Sequence, residues 1–170
     1  WSSDVCSSDL ELADEDVAFW FEEQFRNRAR DFRLRDGVVE TLDALRARGL
    51  HLGIVSNIDD ADLHHLIDLG GLRRHFDSLL SSEAAGSCKP DPRIYEIALE
   101  RAGCAPGEAL FVGDTVAQDV AGANRMGLRS VLLWHRDDRP PPEGEVRPHH
   151  VVRSIPDLLD RKSTRLNSSH

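Results

Sequence analysis

The stretch ALFVGD at residues 109–114, running directly into TVAQDVAGANRMG (115–127) and RSVLLW (129–134), decides the fold. A short apolar run ending in Gly-Asp reads as a strand buried on both faces. The next segment, Val116 to Met126, reads as a helix closed by Gly127, and RSVLLW as another strand. Strand, helix and strand in that order is the unit of a parallel sheet.

The same alternation extends outward from this unit. Upstream, HLGIVS (51–56) and Phe76 to Ser81 read as strands. Asp36 is placed to cap a helix over VVETLDALRAR that closes at Gly49, and Asp59 and Asp60 to cap one running to about Leu69. Asp91-Pro92 is an N-cap followed by proline at the first helical position, with the helix running to Gly103. Downstream, a Pro-rich loop over Arg139 to Pro148 leads to HHVVRS, a last strand, and IPDLLD, a short helix. The expected architecture is α/β, a three-layer Rossmann-like, mostly parallel sheet with helices on both faces. From Glu11 to Leu34, Val17, Phe21, Phe25, Ala29 and Phe32 recur at helical spacing, which predicts an amphipathic helix ahead of this core.

Composition narrows the partners. The 170 residues carry 21 Lys and Arg against 30 Asp and Glu, a net charge of −9, which opposes a nucleic-acid footprint. No apolar run approaches the ~18 residues of a membrane span. Cys88 and Cys104 have no CxxC or Cys/His ligand spacing and suit a reducing cytoplasm. The expected partner is therefore a small molecule; nothing in the sequence speaks to oligomeric state.

Both ends read as foreign. WSSDVCSSDL (1–10) and the last eleven residues (160–170), written as codons, resemble one sequencing adapter in opposite orientations. The expected native portion is Glu11 to Leu159, with 11–34 the remnant of a helical cap and 35–159 the core.

In open parallel sheets the chemistry lies at the carboxyl ends of the strands. Ser56-Asn57 follows GIV, Cys88-Lys89-Pro90 lies shortly after LLSS, and Gly113-Asp114 with Asp119 follows LFV. In phosphoryl transfer, catalysis is mostly positioning and charge stabilisation. The Ser56 hydroxyl and the Asn57 amide suit a phosphate oxygen, and Lys89 supplies a point charge. Asp114 offers a hard oxygen to Mg²⁺, and Asp119 is placed to hold a metal-bound water or the Lys89 ammonium. The adjacent pairs His64-His65 and His149-His150 point apart and do not converge on a metal. Arg33 and Arg35 decorate a solvated face.

VSN, KPDPRIYE and FVGDTVAQD with VAGANRMG, about 33 and 25 residues apart, closely resemble the second, third and fourth motifs of the haloacid dehalogenase-like hydrolase superfamily. The resemblance covers residues 36–159. It implies a Mg²⁺-dependent phosphohydrolase acting on a small cytoplasmic phosphate ester through an aspartyl-phosphate. Ser56 and Lys89 would be catalytic; Ser56, Asn57 and Lys89 would bind the phosphate; Asp114 and Asp119 would hold the metal.

The superfamily's first motif is a hydrophobic strand ending in the nucleophilic aspartate. No stretch before Ser56 reads that way. The family's sheet order puts that strand at the centre, between the strands at 51–56 and 109–113, so the expected sheet has two facing unpaired edges. The chain as written is expected to be inactive. True 2-haloacid dehalogenases share the nucleophile but resemble one another in having Ser-Asn where this chain has Gly113-Asp114, which favours the phosphatase. A non-catalytic binding protein or pseudoenzyme is the third reading.

Overall fold

The computed structural model describes residues 32–136 and 138–160, so the tails and the cap helix expected over 11–31 lie outside the described residues. Residues 32–35 belong to no regular element.

Each expected strand forms, trimmed at its polar ends. β1 (Gly53–Ser56) pairs in parallel with β2 (Ser78–Ser81), Ile54 opposite Leu79 and Ser56 opposite Ser81. β3 (Leu110–Gly113) pairs in parallel with β4 (Arg129–Leu133), and β4 with β5 (His150–Val152). The result is two parallel sheets, β1-β2 and β3-β4-β5.

Neighbouring strand residues point to opposite faces, so each sheet needs cover on both sides. The helices are α1 (Val38–Ala47), α2 (Asp60–Leu69), the single turn α3 (Ser82–Ala85), α4 (Pro92–Ala102) and α5 (Ala121–Arg125). On one face Leu42 of α1 and Leu63 and Ile67 of α2 pack with Ile54 and Leu79. On the other, Ile94 and Tyr95 of α4 and Ala123 of α5 pack with Val55, Leu80 and Phe111. That second cluster takes side chains from both sheets and so holds them on one frame. Helix α1 does the same on the opposite face, touching both the 3-10 turn Arg73–His75 and the 3-10 turn Pro156–Leu159. Between the unpaired edges of β1 and β3 lies a largely apolar cavity of about 810 Å³.

Local capping departs from the sequence expectation in three places. Gly37, not Asp36, sits at the N-cap of α1, with φ 72°, and its carbonyl accepts the Thr41 hydroxyl. The chain enters that helix through the left-handed region, where glycine meets no Cβ penalty and an aspartate side chain is not the cap. Asp59 occupies the N-cap position of α2 without a side-chain cap bond; the Glu83 carboxylate instead accepts from the Asp60 amide at 2.8 Å. The expected helix over Val116 to Met126 opens as a π-turn (Val116–Val120) before α5. IPDLLD closes only a 3-10 turn. Asp91 behaves as expected, its carboxylate accepting from the Arg93 amide at 2.9 Å with Pro92 next in line, a cap of the kind that contributes about 1 kcal/mol.

Candidate active site

The carboxyl ends of β1 and β3 meet at one place. Lys89 Nζ donates to Asp119 Oδ1 at 2.7 Å, and both side chains are largely buried, at 12% and 5% exposure. Asp119 Oδ2 accepts the Thr115 amide at 2.9 Å, so both oxygens of this carboxylate are engaged. The approach is close enough that a Cβ on Gly113 would overlap the Asp119 carboxyl, which is why the strand ends in glycine.

From the β1 side, Asn57 holds the main chain of Lys89 at two points. Its Nδ2 donates to the Lys89 carbonyl at 2.9 Å and its Oδ1 accepts the Lys89 amide at 2.8 Å. The same Nδ2 reaches Gln118 Oε1 at 3.5 Å. This places the Asn57 side chain as a clamp on the loop carrying Lys89, a role the sequence pattern did not single out. Ser56, half-buried, ends β1 beside it.

Asp114, one residue beyond β3, is exposed, and its Oδ1 accepts the Thr115 hydroxyl at 3.2 Å. Its chemistry suits a magnesium ion, which binds through few carboxylates and keeps waters and substrate oxygens. Asp119 is different. With its two oxygens committed to Lys89 and Thr115, it is placed as the counter-ion of the lysine. Among the described residues, no three His, Cys, Asp or Glu side chains gather around one point.

Three supporting residues had no motif to announce them. The Tyr95 hydroxyl donates to the Gln118 carbonyl at 2.6 Å, inside the π-turn that leads to Asp119. In a π-turn the ordinary i→i−4 ladder is broken, and a carbonyl released from it needs another donor. Burial, and next the negative charge of Asp119, push the Tyr95 phenol far above its usual range, so it stays a donor. Its ring tilts against Phe111 with centroids 5.0 Å apart, and Phe111 in turn lies 5.6 Å below Lys89 Nζ. Gly122 leaves room for the tyrosine, since a Cβ there would overlap its hydroxyl. Apolar periodicity alone would mark Tyr95 only as core.

The histidine pairs do other work. His64 lies against Asp60 and Arg73, while His149 accepts the Ser130 amide at its Nδ1. Arg35 lines the cavity between the sheets, not a solvated face alone. No helix among the described residues is long and apolar enough to cross a membrane.

Residues 7–127 match the family model of the haloacid dehalogenase-like hydrolases. The bovine haloacid dehalogenase-like hydrolase domain-containing protein 3 is 38% identical over 129 residues, covering 75% of this chain and 51% of that protein. (S)-2-haloacid dehalogenase 4A of Burkholderia cepacia is 38% identical over 120 residues, 70% of this chain and 51% of its own length. Among solved structures, a HAD phosphatase from Thermococcus onnurineus superposes with a TM-score of 0.72 at 30% identity, covering 81% of this chain and 62% of that one. The chain thus spans about half the length of the curated relatives it matches.

Proposed function

This chain belongs to the haloacid dehalogenase-like hydrolase family, and from that premise we propose that the whole protein is a Mg²⁺-dependent phosphohydrolase of a small phosphate ester, working in the cytoplasm through a phosphorylated aspartate. The observation that carries this reading is the exposed carboxylate of Asp114 following Gly113, beside a lysine whose own charge is already balanced by Asp119. A metal ion at Asp114 would neutralise charge on the phosphoryl oxygens.

The chain's own residues divide the remaining work. Lys89, held in place by Asn57 and Asp119, presents a fixed ammonium to the phosphate. Because those partners fix its position beforehand, little reorganisation is needed as charge develops. Ser56 and the backbone at Asn57 donate to a phosphate oxygen. The nucleophilic aspartate is not in this sequence, so the chain as given is inactive.

A second reading has one observation in its favour, the 38% identity to a 2-haloacid dehalogenase. Displacement of halide needs no metal to balance phosphate charge. The test extends the reading frame upstream of Glu11 and assays the purified product with phosphate esters and with 2-haloacids, each with and without EDTA. Phosphate release abolished by EDTA is the expected result. EDTA-insensitive halide release would overturn the phosphatase, and Mg²⁺-dependent turnover by the 170-residue chain alone would overturn its predicted inactivity.

A further inference from the structure

The cavity between the two sheets has polar walls of a particular kind. In a parallel strand, alternate residues turn both their N–H and their C=O to the same side. The Leu52 carbonyl accepts from the amides of Asp77 and Ser78, so Leu52, Ile54 and Ser56 face β2. By alternation Gly53 and Val55 face the cavity. On the other bank the Ala109 carbonyl accepts the Arg129 amide, so Ala109, Phe111 and Gly113 face β4, and Leu110 and Val112 face the cavity. All four of these residues line it. Two rows of backbone donors and acceptors thus confront each other across an apolar space, a costly arrangement unless something bonds to both.

We propose that this slot is a seat for one extended apolar peptide segment supplied from outside the 170 residues, hydrogen-bonded at once to Gly53 and Val55 on one side and to Leu110 and Val112 on the other. The ends of β1 and β3 fix its direction. Asn57, just past β1, bonds both Lys89 and Gln118, the latter just past β3, so the two strands run the same way. A strand joining both ladders in parallel brings its carboxyl end to Ser56, Lys89 and Asp114. Its length follows from its neighbours, four residues each in β1 and β3. Its side chains are apolar throughout, because Ile54 and Val55 are met by core clusters on opposite faces of the sheet.

The occupant fits what the relatives carry. About half of the length of the bovine and Burkholderia proteins has no counterpart in this chain, so polypeptide outside it is available to fill the seat. The inference uses the fold and not the phosphatase chemistry, so each stands or falls separately. Binding in this mode is β-augmentation on two edges at once, with main-chain bonds giving affinity and the apolar faces giving selectivity.

Amide hydrogen exchange on the whole 170-residue chain tests it. The probe is a synthetic peptide with a run of about five Val and Ile residues flanked by lysines, and its control carries proline at alternate positions of the run. At a peptide concentration about ten times its dissociation constant, exchange at Gly53, Val55, Leu110 and Val112 should slow about tenfold. The proline peptide should do nothing, and a spin label at the carboxyl end of the probe should broaden Ser56 and Gly113 rather than Leu52 and Ala109. If Ile54 and Phe111, already within the ladders, become protected only when the apolar peptide is added, the strand is needed to hold the sheets and the proposal gains. Equal protection by both peptides, no protection by either, or amides already slow in the free chain because its own residues or a second copy occupy the slot would each overturn it.

Discussion

The two banks of the slot are secured by different physics. On the β3 side, Lys89 and Asp119 form a largely buried ion pair whose remaining hydrogen bonds are filled by Thr115, over a sheet whose Val131 and Leu132 are fully buried. On the β1 side, the tie is at the surface. Asp77 accepts the Leu52 amide at 2.9 Å and pairs with Arg46 at 3.0 Å, both side chains about a third exposed. One bank has its charges desolvated and locked; the other has them where water competes. Fixed charge therefore belongs to the β3 end, and the β1 end contributes neutral donors at Ser56 and Asn57.

If that contrast is right, the largest loss of stability comes from the buried pair. Asp119→Ala leaves Lys89 without its counter-ion and the Thr115 amide without an acceptor, which should cost about 3–5 kcal/mol in urea unfolding. Asp119→Asn, which can still accept a hydrogen bond, should cost less. An Ala variant as stable as the parent would mean that water already reaches the pair. Next comes Tyr95→Phe, which keeps the ring on Phe111 but removes the hydroxyl from the Gln118 carbonyl. An unsatisfied carbonyl of this kind should cost about 1–2 kcal/mol, and fast exchange confined to the π-turn would locate the effect.

How much of this could be read beforehand depends on the range of the interaction. β1 to β4 and the Asp91-Pro92 cap announce themselves locally, through apolar runs bounded by Gly, Pro and Asp. So do Lys89, Asp114 and Asp119, which stand at strand ends with spacings that match a known pattern. Tyr95 does not, because its task is defined by a carbonyl 23 residues away and by the widening of a turn that helical periodicity reads as ordinary. Asn57 was legible as a polar residue at a strand end, but its side-chain clamp on Lys89 depends on a contact across 32 residues. The caps at Gly37 and Glu83 were missed for similar reasons, one a left-handed entry and the other a donor from a neighbouring element. The break between the sheets was anticipated from the family's strand order, not from anything in the residues of β1 or β3 themselves.

The smallest expected effect is the acid response of the surface ties, and it separates charge from dipole. The Leu52 amide first and the Arg46 guanidinium next hold the Asp77 carboxyl below its ordinary range. On the other bank, the Ser154 and Arg153 amides hold Asp157 low in the same direction. A carboxylate lowered in the folded state stabilises above its unfolded pKa, and that contribution is lost as the pH falls through the folded value. Asp77→Asn and Asp157→Asn should therefore each flatten the fall in stability below about pH 4, measured as unfolding midpoints from pH 7 downward. Salt should distinguish them. Arg46 contributes through an exposed ion pair that ions screen, whereas the partners of Asp157 are neutral N–H groups. Raising the ionic strength at pH 7 should narrow the gap between the parent and Asp77→Asn while leaving that for Asp157→Asn in place. Equal salt dependence at both positions would mean that Arg46 adds nothing to the β1 bank beyond what the Leu52 amide already supplies.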